Sequence, residues 1–292
     1  MSLNRRSFLG SLGAGLAVAA APVRLVAQSH RIERLGMQLY TVRTEMEKSV
    51  DETLARVAAI GYKEVEFAGY FKRTPGQIRD ALKQTGLNSP AAHVDYPSLA
   101  EDKLPEVLET AHTIGHQYLV NPWIDESLRK EPDIWKRVAD TFNRAGAAAR
   151  KAGIQFAYHN HHFEFAPVDG KLPYELLLER CDPNLVKMEL DLCWISAAGK
   201  DPVRYFERYP GRFPLVHVKG LSKKPEAGGA APIQSVMPDL TDVGTRDVID
   251  WKRIFAKSDR AGIKHYFVEH DIPKDPYESL KSSYTYLKNL DF

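Results

Sequence analysis

Four short apolar segments in the second half of the chain end in histidine, lysine or carboxylate side chains. In three of the segments, two of these residues lie two positions apart: His159 and His161, Glu189 and Asp191, and His217 and Lys219. The fourth segment ends in Glu269. Side chains two residues apart share one face of a strand, so each pair would point to one side. Such groups are costly to bury without partners, and one divalent cation satisfies several of them at once.

We therefore predict a divalent metal site whose ligands come from neighbouring strands. The set His159, Asp191, His217 and Glu269 offers nitrogen and oxygen ligands without thiolate, which suits Mn, Zn, Fe(II) or Co better than Mg. Each residue alone also has a structural explanation; Asp191, for example, could cap a following helix. Their recurrence at successive strand ends favours the metal site. Lys219 is the candidate cation for holding an oxyanion, with a solvated lysine as the alternative.

A repeated pattern predicts the elements that bring these strand ends together. Five glycines each close a helix-like pattern and precede a short apolar run: Gly61, Gly86, Gly115, Gly153 and Gly262. Glycine tolerates the left-handed conformation that ends many helices. The predicted strands are 35–40, 64–68, 88–93, 117–121, 154–159, 186–191, 214–219 and 264–269. The predicted helices lie near 49–60, 75–85, 99–114, 132–152, 172–180, 201–208, 250–261 and 275–289.

Eight strands, each followed by a helix, predict an α/β fold, a single-domain (β/α)8 TIM barrel over residues 28–292. A doubly wound open sheet is the alternative, but no predicted strand is followed by a glycine-rich phosphate-binding turn. Residues 220–248, rich in Gly, Pro and Ala, are predicted to be a long functional loop.

Residues 1–27 have the pattern of a twin-arginine export signal. Arg5 and Arg6 precede Phe8-Leu9 and an apolar run that ends near Ala21. This run is too short for a membrane-spanning helix, which needs roughly 18 residues or more. The alternative is a frayed amphipathic N-terminus. We expect a periplasmic protein that uses the twin-arginine export machinery and has no stable membrane insertion.

Net charge and cysteine content indicate which kinds of binding partner and cross-link to expect. Three of the 40 Lys and Arg residues and none of the 38 Asp and Glu residues fall in the first 27 positions, which leaves a net charge of −1 on the remainder. This gives no electrostatic reason to expect nucleic acid. The two cysteines are too few for a disulfide-built scaffold, although one bridge stays open. The assembly state, including a homo-oligomer, is also left open.

From Leu35-Gly36-Met37-Gln38-Leu39-Tyr40 to the last predicted helix, the chain resembles the xylose isomerase-like (AP endonuclease 2-type) barrels named sugar phosphate isomerases/epimerases. The most specific motifs are Tyr158-His159-Asn160-His161, Glu189-Leu190-Asp191, His217-Val218-Lys219 and Phe267-Val268-Glu269. Family members usually bind one divalent metal through Glu, Asp, His and Glu from strands five to eight. The resemblance therefore implies Asp191, His217 and Glu269 as ligands, with His159 in place of the first Glu. His161 is the alternative at that strand, and Glu189 an extra ligand or a nearby acid.

The resemblance also implies a reaction. The family's epimerases use two metal-bound glutamates as acid and base, whereas relatives resembling inosose dehydratase have a histidine-rich strand five and eliminate a hydroxyl group. We predict a metal-dependent sugar isomerase or epimerase that removes a proton beside a carbonyl. The alternatives are a 3-keto-glycoside lyase or hydratase, and a periplasmic sugar-binding barrel without activity. Glu269 is the predicted base, His159 or His161 its proton partner, and Lys219 the oxyanion group.

Residues near other strand ends are candidates for binding a small-molecule carbohydrate substrate. They are Gln38, Glu66, His93, Asn121 and Trp123, with Tyr40 beside them, and Glu164 at a position where some relatives bind substrate hydroxyls. For Trp123 and Trp194, ordinary packing is the alternative. DNA repair by the related endonuclease fold is disfavoured by the export signal, the near-neutral charge and the small number of strand-end histidines.

Overall fold

A closed barrel of eight parallel strands forms the centre of the computed structural model, which describes residues 30–131, 133–226 and 228–292. The strands are β1 (Leu35–Gln38), β2 (Glu64–Phe67), β3 (Asn88–His93), β4 (Tyr118–Asn121), β5 (Gln155–His159), β6 (Val186–Asp191), β7 (Leu215–Val218), β8 (Gly220–Leu221), β9 (Leu240–Thr241) and β10 (His265–Val268). Around the barrel the order is β1, β10, β7, β6, β5, β4, β3, β2, while β8 and β9 form a separate antiparallel ribbon. The predicted single-domain (β/α)8 barrel is confirmed, and the open doubly wound sheet is wrong.

Helices connect successive barrel strands. They are α1 (Arg43–Lys48), α2 (Val50–Ile60), α3 (Pro75–Thr85), α4 (Leu104–Ile114), α5 (Glu126–Arg129), α6 (Ile134–Lys151), α7 (Pro173–Arg180), α8 (Leu192–Ala197), α9 (Pro202–Arg208), α10 (Ile233–Val236), α11 (Trp251–Phe255), α12 (Ser258–Ala261) and α13 (Pro276–Lys288). The five glycines predicted to end helices all have positive φ, between 69° at Gly86 and 124° at Gly61. That prediction is confirmed.

Three predicted segments differ from the structure. The helix predicted from residue 99 begins only at Leu104, because Tyr96–Leu99 form a 3₁₀ turn that Asp95 caps. The helix predicted over 250–261 is divided into α11 and α12. The segment 220–248 is partly regular: it contains the β8–β9 ribbon and α10, and Asp247 fastens it by accepting hydrogen bonds from the Leu221 amide and the Trp251 indole.

An apolar layer fills the barrel interior below the strand ends. Its buried members are Ala91, Tyr118, Val120, Ala157, Leu215 and Phe267. Because side chains alternate along a strand, the next inward-facing positions on four of these strands belong to polar residues, namely His93, His159, His217 and Glu269. The larger core lies between the strands and the helices. The fold thus supports a polar layer on a packed apolar one.

The export-signal prediction, residues 1–27, lies outside the described residues. Among the residues that the structure describes, no helix combines the length and the apolar character needed to cross a bilayer.

Candidate metal centre

Register and alternation bring the predicted strand-end residues to one mouth of the barrel. His159 is aligned with Glu189 on the neighbouring strand, and Asp191 is aligned with His217. All four are buried. Asp191 also begins α8, since its Oδ1 accepts a hydrogen bond of 2.7 Å from the Trp194 amide. The cap that the sequence offered as an alternative is present, and Oδ2 of Asp191 still contributes to the site.

Four residues form what we call the histidine-rich group: His93, His159, Glu189 and His217. Glu189 Oε2 lies 3.2 Å from His93 Nε2 and 3.3 Å from His159 Nδ1. The same oxygen lies 3.1 Å from His217 Nε2. One donor atom from each residue falls within 4.8 Å of all the others. Donors that bind one ion at roughly 2.0–2.2 Å lie at comparable separations, so this geometry suits a shared divalent ion.

Carboxylates and an amide surround the histidine-rich group. Glu66 Oε2 lies 2.7 Å from His217 Nε2 and 3.3 Å from His93 Nε2. Gln38 Nε2 donates a 2.7 Å hydrogen bond to that oxygen. On the other ring nitrogen, His217 Nδ1 lies 2.7 Å from Glu269 Oε2. A carboxylate on the second nitrogen of a ligand histidine orients the ring and increases its basicity.

Buried polar atoms without hydrogen-bond partners support this use of the site. Among the described residues, Glu189 Oε1, Glu66 Oε1 and His159 Nδ1 are buried and make no hydrogen bond. Leaving such atoms unsatisfied is costly, and a cation would relieve that cost. The chemistry and spacing of the donors therefore fit a divalent ion.

Charge interactions separate the pKa values of these groups. Burial alone would lower the pKa of His93, but Glu66 and Glu189 raise it to about 9. Burial would raise the pKa of Glu189, but His217 and His93 lower it to about 2. Burial and the positive charge of its neighbours hold the pKa of His159 well below its usual value. Metal binding would displace the extra proton from His93 and from His217, whose pKa its carboxylate neighbours also raise, because a ligand histidine must be neutral at its donor atom.

A second set of acids lies beside the first, and we call Asp191, Glu269 and Asp271 the carboxylate group. Lys219 Nζ lies 3.1 Å from Asp191 Oδ2, 2.8 Å from Glu269 Oε2 and 3.0 Å from Asp271 Oδ2. Asp191, His217 and Glu269 could also hold an ion by the spacing of their donor atoms. In the structure, the buried ammonium of Lys219 already compensates the acids there.

The same contacts determine the protonation of the carboxylate group. Burial would lower the pKa of Lys219, but the three carboxylates raise it well above its usual value. Burial would raise the pKa of Glu269, but Lys219 and His217 hold it well below its usual value. Burial raises the pKa of Asp191 to about 6 despite Lys219, and burial likewise raises the pKa of Asp271. Lys219 is therefore a stable ammonium ion among acids of different strength.

A cavity of about 600 Å³ opens over both groups. Strand-end residues form what we call its polar wall: His93, His159, His161, Lys219, Glu269 and Asp271. Connecting segments form its apolar wall: Tyr40, Pro122, Trp123, Ile233 and Met237. This volume falls within the roughly 300–1,000 Å³ of small-molecule sites.

Three predicted site residues are placed differently from the expectation. His161 belongs to neither group among the described residues; its ring packs 4.8 Å from Trp123 and 5.5 Å from Trp194 and lines the cavity. Glu164 is fully buried, accepts a hydrogen bond from Tyr158 Oη at 2.5 Å and does not line the cavity. Burial raises the pKa of Glu164 to about 7. Asn121 instead donates to the Val94 carbonyl, because the β4 end lies beside the β3 end.

Sequence reasoning missed two roles. Asp271 was not among the predicted site residues, although it follows Glu269 at the same two-residue spacing that joins His217 to Lys219. His93 and Glu66 were predicted as substrate contacts; the structure places His93 in the histidine-rich group, where it also lines the cavity, and places Glu66 against that group. Their strands are distant in sequence from β6 and β7, so no local spacing signalled this.

Comparison with known proteins agrees with this architecture. The family described as Xylose isomerase-like TIM barrel matches residues 54–290. A curated inosose dehydratase of Geobacillus kaustophilus is 25% identical over 192 residues, covering 59% of this chain and 62% of that protein. One from Clostridium perfringens is 23% identical over 198 residues, covering 61% and 66%. The matched part thus spans less than two thirds of the length of these relatives.

Solved structures extend the likeness over most of the chain. A sugar phosphate isomerase/epimerase from Parabacteroides distasonis has 26% identity and a TM-score of 0.70, covering 88% of this chain and 98% of that one. The IolI protein with a zinc atom has 16% identity and a TM-score of 0.66, covering 86% and 95%. The second likeness shows the fold alone.

Proposed function

Because the chain belongs to the xylose isomerase-like TIM barrel family, we propose that it is a divalent-metal-dependent enzyme that removes a proton beside the carbonyl of a carbohydrate or keto-sugar. One observation carries the proposal: three imidazoles converge on the Glu189 carboxylate next to a cavity that also contains a buried lysine. The enzyme names of the curated relatives support a catalytic role.

The residues divide the work by position. The histidine-rich group would hold the ion, which when bound supplies a Lewis acid that polarises a carbonyl. Lys219 directs an ammonium group to the same cavity and can donate a hydrogen bond to an oxygen that becomes negative. Glu269 and Asp271 line the cavity and lie 2.8 and 3.0 Å from that ammonium, so one of them would take the proton from carbon.

Elimination from a 3-keto-glycoside is the second candidate reaction. It is favoured by the imidazole of His159 at the strand position where the family usually has a glutamate, and by the similarity to proteins named inosose dehydratase. An epimerisation needs an acid and a base on opposite faces of one carbon, whereas an elimination needs a proton donor beside the leaving hydroxyl. Burial lowers the pKa of His161 well below its usual value, so this cavity-lining imidazole is neutral. It could donate a hydrogen bond to the departing oxygen, which would take up the proton that the carboxylate base removed from carbon.

The test is proton NMR of a panel of keto-sugars and 3-keto-glycosides with the metal-loaded protein in deuterium oxide. We expect solvent deuterium at the carbon beside the carbonyl, with or without loss of a hydroxyl. Glu269→Gln and Asp271→Asn should differ in their rates of deuterium exchange. The variant that removes the base should exchange roughly 10²–10⁴ times more slowly than the parent. Glu109→Gln, an exposed change on α4, is the matched control. A folded, metal-loaded protein that exchanges no proton on any member of the panel would refute the proposal.

We also propose that the chain is exported to the periplasm by the twin-arginine route. The support is the Arg5-Arg6 pair and the weakly apolar run that follows it.

A further inference from the structure

The charged side chains that line the cavity are unfavourable for binding a phosphorylated substrate. Lys219 is the one lysine or arginine among the described residues that line it, and its ammonium already contacts three carboxylates. Asp95, Glu269 and Asp271 also line the cavity. A phosphate monoester carries nearly two negative charges at neutral pH, and it is normally bound by arginine or lysine side chains or by the backbone N–H groups at a helix N-terminus. Here it would meet Glu269 and Asp271 on the polar wall, and among the described residues no lysine or arginine lines the apolar wall.

The apolar wall has the composition of a site for an uncharged ring. Tyr40 and Trp123 supply aromatic surface, and Ile233 and Met237 supply aliphatic surface. Tyr40 is 41% exposed, and among the described residues Tyr286 is the one other exposed Phe, Tyr or Trp side chain. The C–H face of a sugar, or an aromatic aglycone, packs well against such rings.

Neighbouring contacts fix these aromatic residues in place. The Arg43 guanidinium lies 4.1 Å from the Tyr40 ring centroid and donates hydrogen bonds to the Tyr40 and Asp271 carbonyls. The Trp123 ring packs at 5.0 Å against Phe163, and the Arg129 guanidinium lies 4.9 Å from its centroid. Rings held before binding lose less entropy when a ligand arrives.

The aliphatic part of the wall is also fastened. His162 Nε2 lies 2.7 Å from the Ala231 carbonyl and ties the segment that carries α10 to the end of β5. Gly229 lies so close to the Phe165 backbone that a Cβ there would approach to 2.7 Å. Ile233 and Met237 lie shortly after these anchored residues in the chain. The aliphatic part of the wall is therefore held in position by contacts with the end of β5.

We propose that the apolar wall is a second subsite, for the uncharged aglycone of a glycoside whose sugar ring lies against the polar wall. The cavity therefore selects unphosphorylated glycosides over sugar phosphates. This rests on the sugar-recognition part of the proposed function and deepens it, because it names the substrate class. The volume of about 600 Å³ exceeds what a single hexose ring fills.

The test is isothermal titration of the metal-loaded protein with three kinds of non-reacting probe. These are 4-nitrophenyl glycosides, methyl glycosides and sugar 6-phosphates, each in the gluco, galacto and manno series. We expect the aryl glycoside of at least one series to bind about tenfold tighter than its methyl counterpart, and the 6-phosphate to bind no tighter than the free sugar.

Substitutions at Trp123 test whether the aryl preference arises at the apolar wall. Trp123→Ala should remove the aryl preference and leave the methyl glycoside affinity within about twofold, while Trp123→Phe should keep most of the preference. Val248→Ala, an exposed apolar residue that does not line the cavity, is the matched control. Tighter binding of a 6-phosphate, an unchanged aryl preference in Trp123→Ala, or no aryl preference in any series would each overturn the subsite.

These probes lack the keto group, so their binding does not depend on the reaction. An aryl preference without deuterium exchange would mean that the proposed reaction has failed while the subsite stands. Deuterium exchange without an aryl preference would mean that the subsite has failed while the proposed reaction stands.

Discussion

Replacing Lys219 by Met removes the cation that compensates the carboxylate group and keeps most of the side-chain volume. The ammonium lies 2.8–3.1 Å from one oxygen of each of three buried acids. At an effective dielectric constant of about 20, each such contact corresponds to roughly 5–6 kcal/mol of Coulomb energy, most of which offsets desolvation. Breaking a buried ion pair by removing one partner typically costs about 3–5 kcal/mol.

That cost should be visible as a lower melting temperature in the absence of metal. For a domain of this size, 1 kcal/mol shifts Tm by roughly 2–4 °C, so Lys219→Met should melt about 6–20 °C below the parent in EDTA. A divalent cation should restore part of the loss, because the emptied carboxylate group could then bind it; saturation at 100 Kd supplies about 2.7 kcal/mol. The variant should accordingly hold one more divalent ion per chain than the parent.

The assay is thermal unfolding followed by near-UV circular dichroism, in EDTA and in millimolar Mn²⁺, together with metal analysis of dialysed protein. Lys83→Met, on the exposed face of α3, controls for the loss of a lysine and should shift Tm by little. If Lys219→Met melts with the parent in EDTA, the three contacts do not stabilise the fold as argued. If it gains no metal, the carboxylate group is not a latent cation site.

Three further outcomes are expected. Glu189→Gln should lose the metal ion at stoichiometric loading, whereas Glu269→Gln should weaken metal affinity by no more than about 10–100-fold and still fill at excess metal; inductively coupled plasma mass spectrometry decides, and equal losses would contradict the assignment. Glu164 has a pKa of about 7 in the fold and a usual value of 4.5, so the folded state binds its proton more tightly and this stabilising contribution is lost as pH rises from about 4.5 through 7. Urea unfolding should show Glu164→Gln gaining stability relative to the parent between pH 5 and pH 8, and a constant difference would speak against the buried carboxyl. Replacing Arg5 and Arg6 by Lys should keep the folded protein in the cytoplasm, as fractionation would show, and undiminished periplasmic accumulation would count against the export signal.

Local sequence patterns were sufficient to predict the ends of the helices and the faces of the strands. Glycine after each helical pattern specified where helices end, since few other residues adopt positive φ without strain, as Gly61 and Gly86 illustrate. Alternation along β5, β6 and β7 specifies which side chains share a face, and it is sufficient to assign His159, Asp191 and His217 to one mouth of the barrel. These features depend only on residues close in the chain, so the sequence was sufficient to predict them.

Distances between strands were decided by the tertiary structure. Periodicity assigns a face to Glu189 and Asp191 alike, but only the closed barrel places Glu189 against His93 and Asp191 against Lys219. Glu66 meets His217 across 151 positions of sequence because closure places β2 only three strands from β7 around one narrow interior.

The sequence by itself therefore determined the barrel, its polar mouth and the types of donor available there. Only the tertiary structure decided which donors meet, that Lys219 compensates the carboxylate group, and that Glu164 faces Tyr158 rather than the cavity. The physical reason is that strand alternation fixes the direction of a side chain, whereas the contact it makes depends on the register and curvature of strands far apart in the chain.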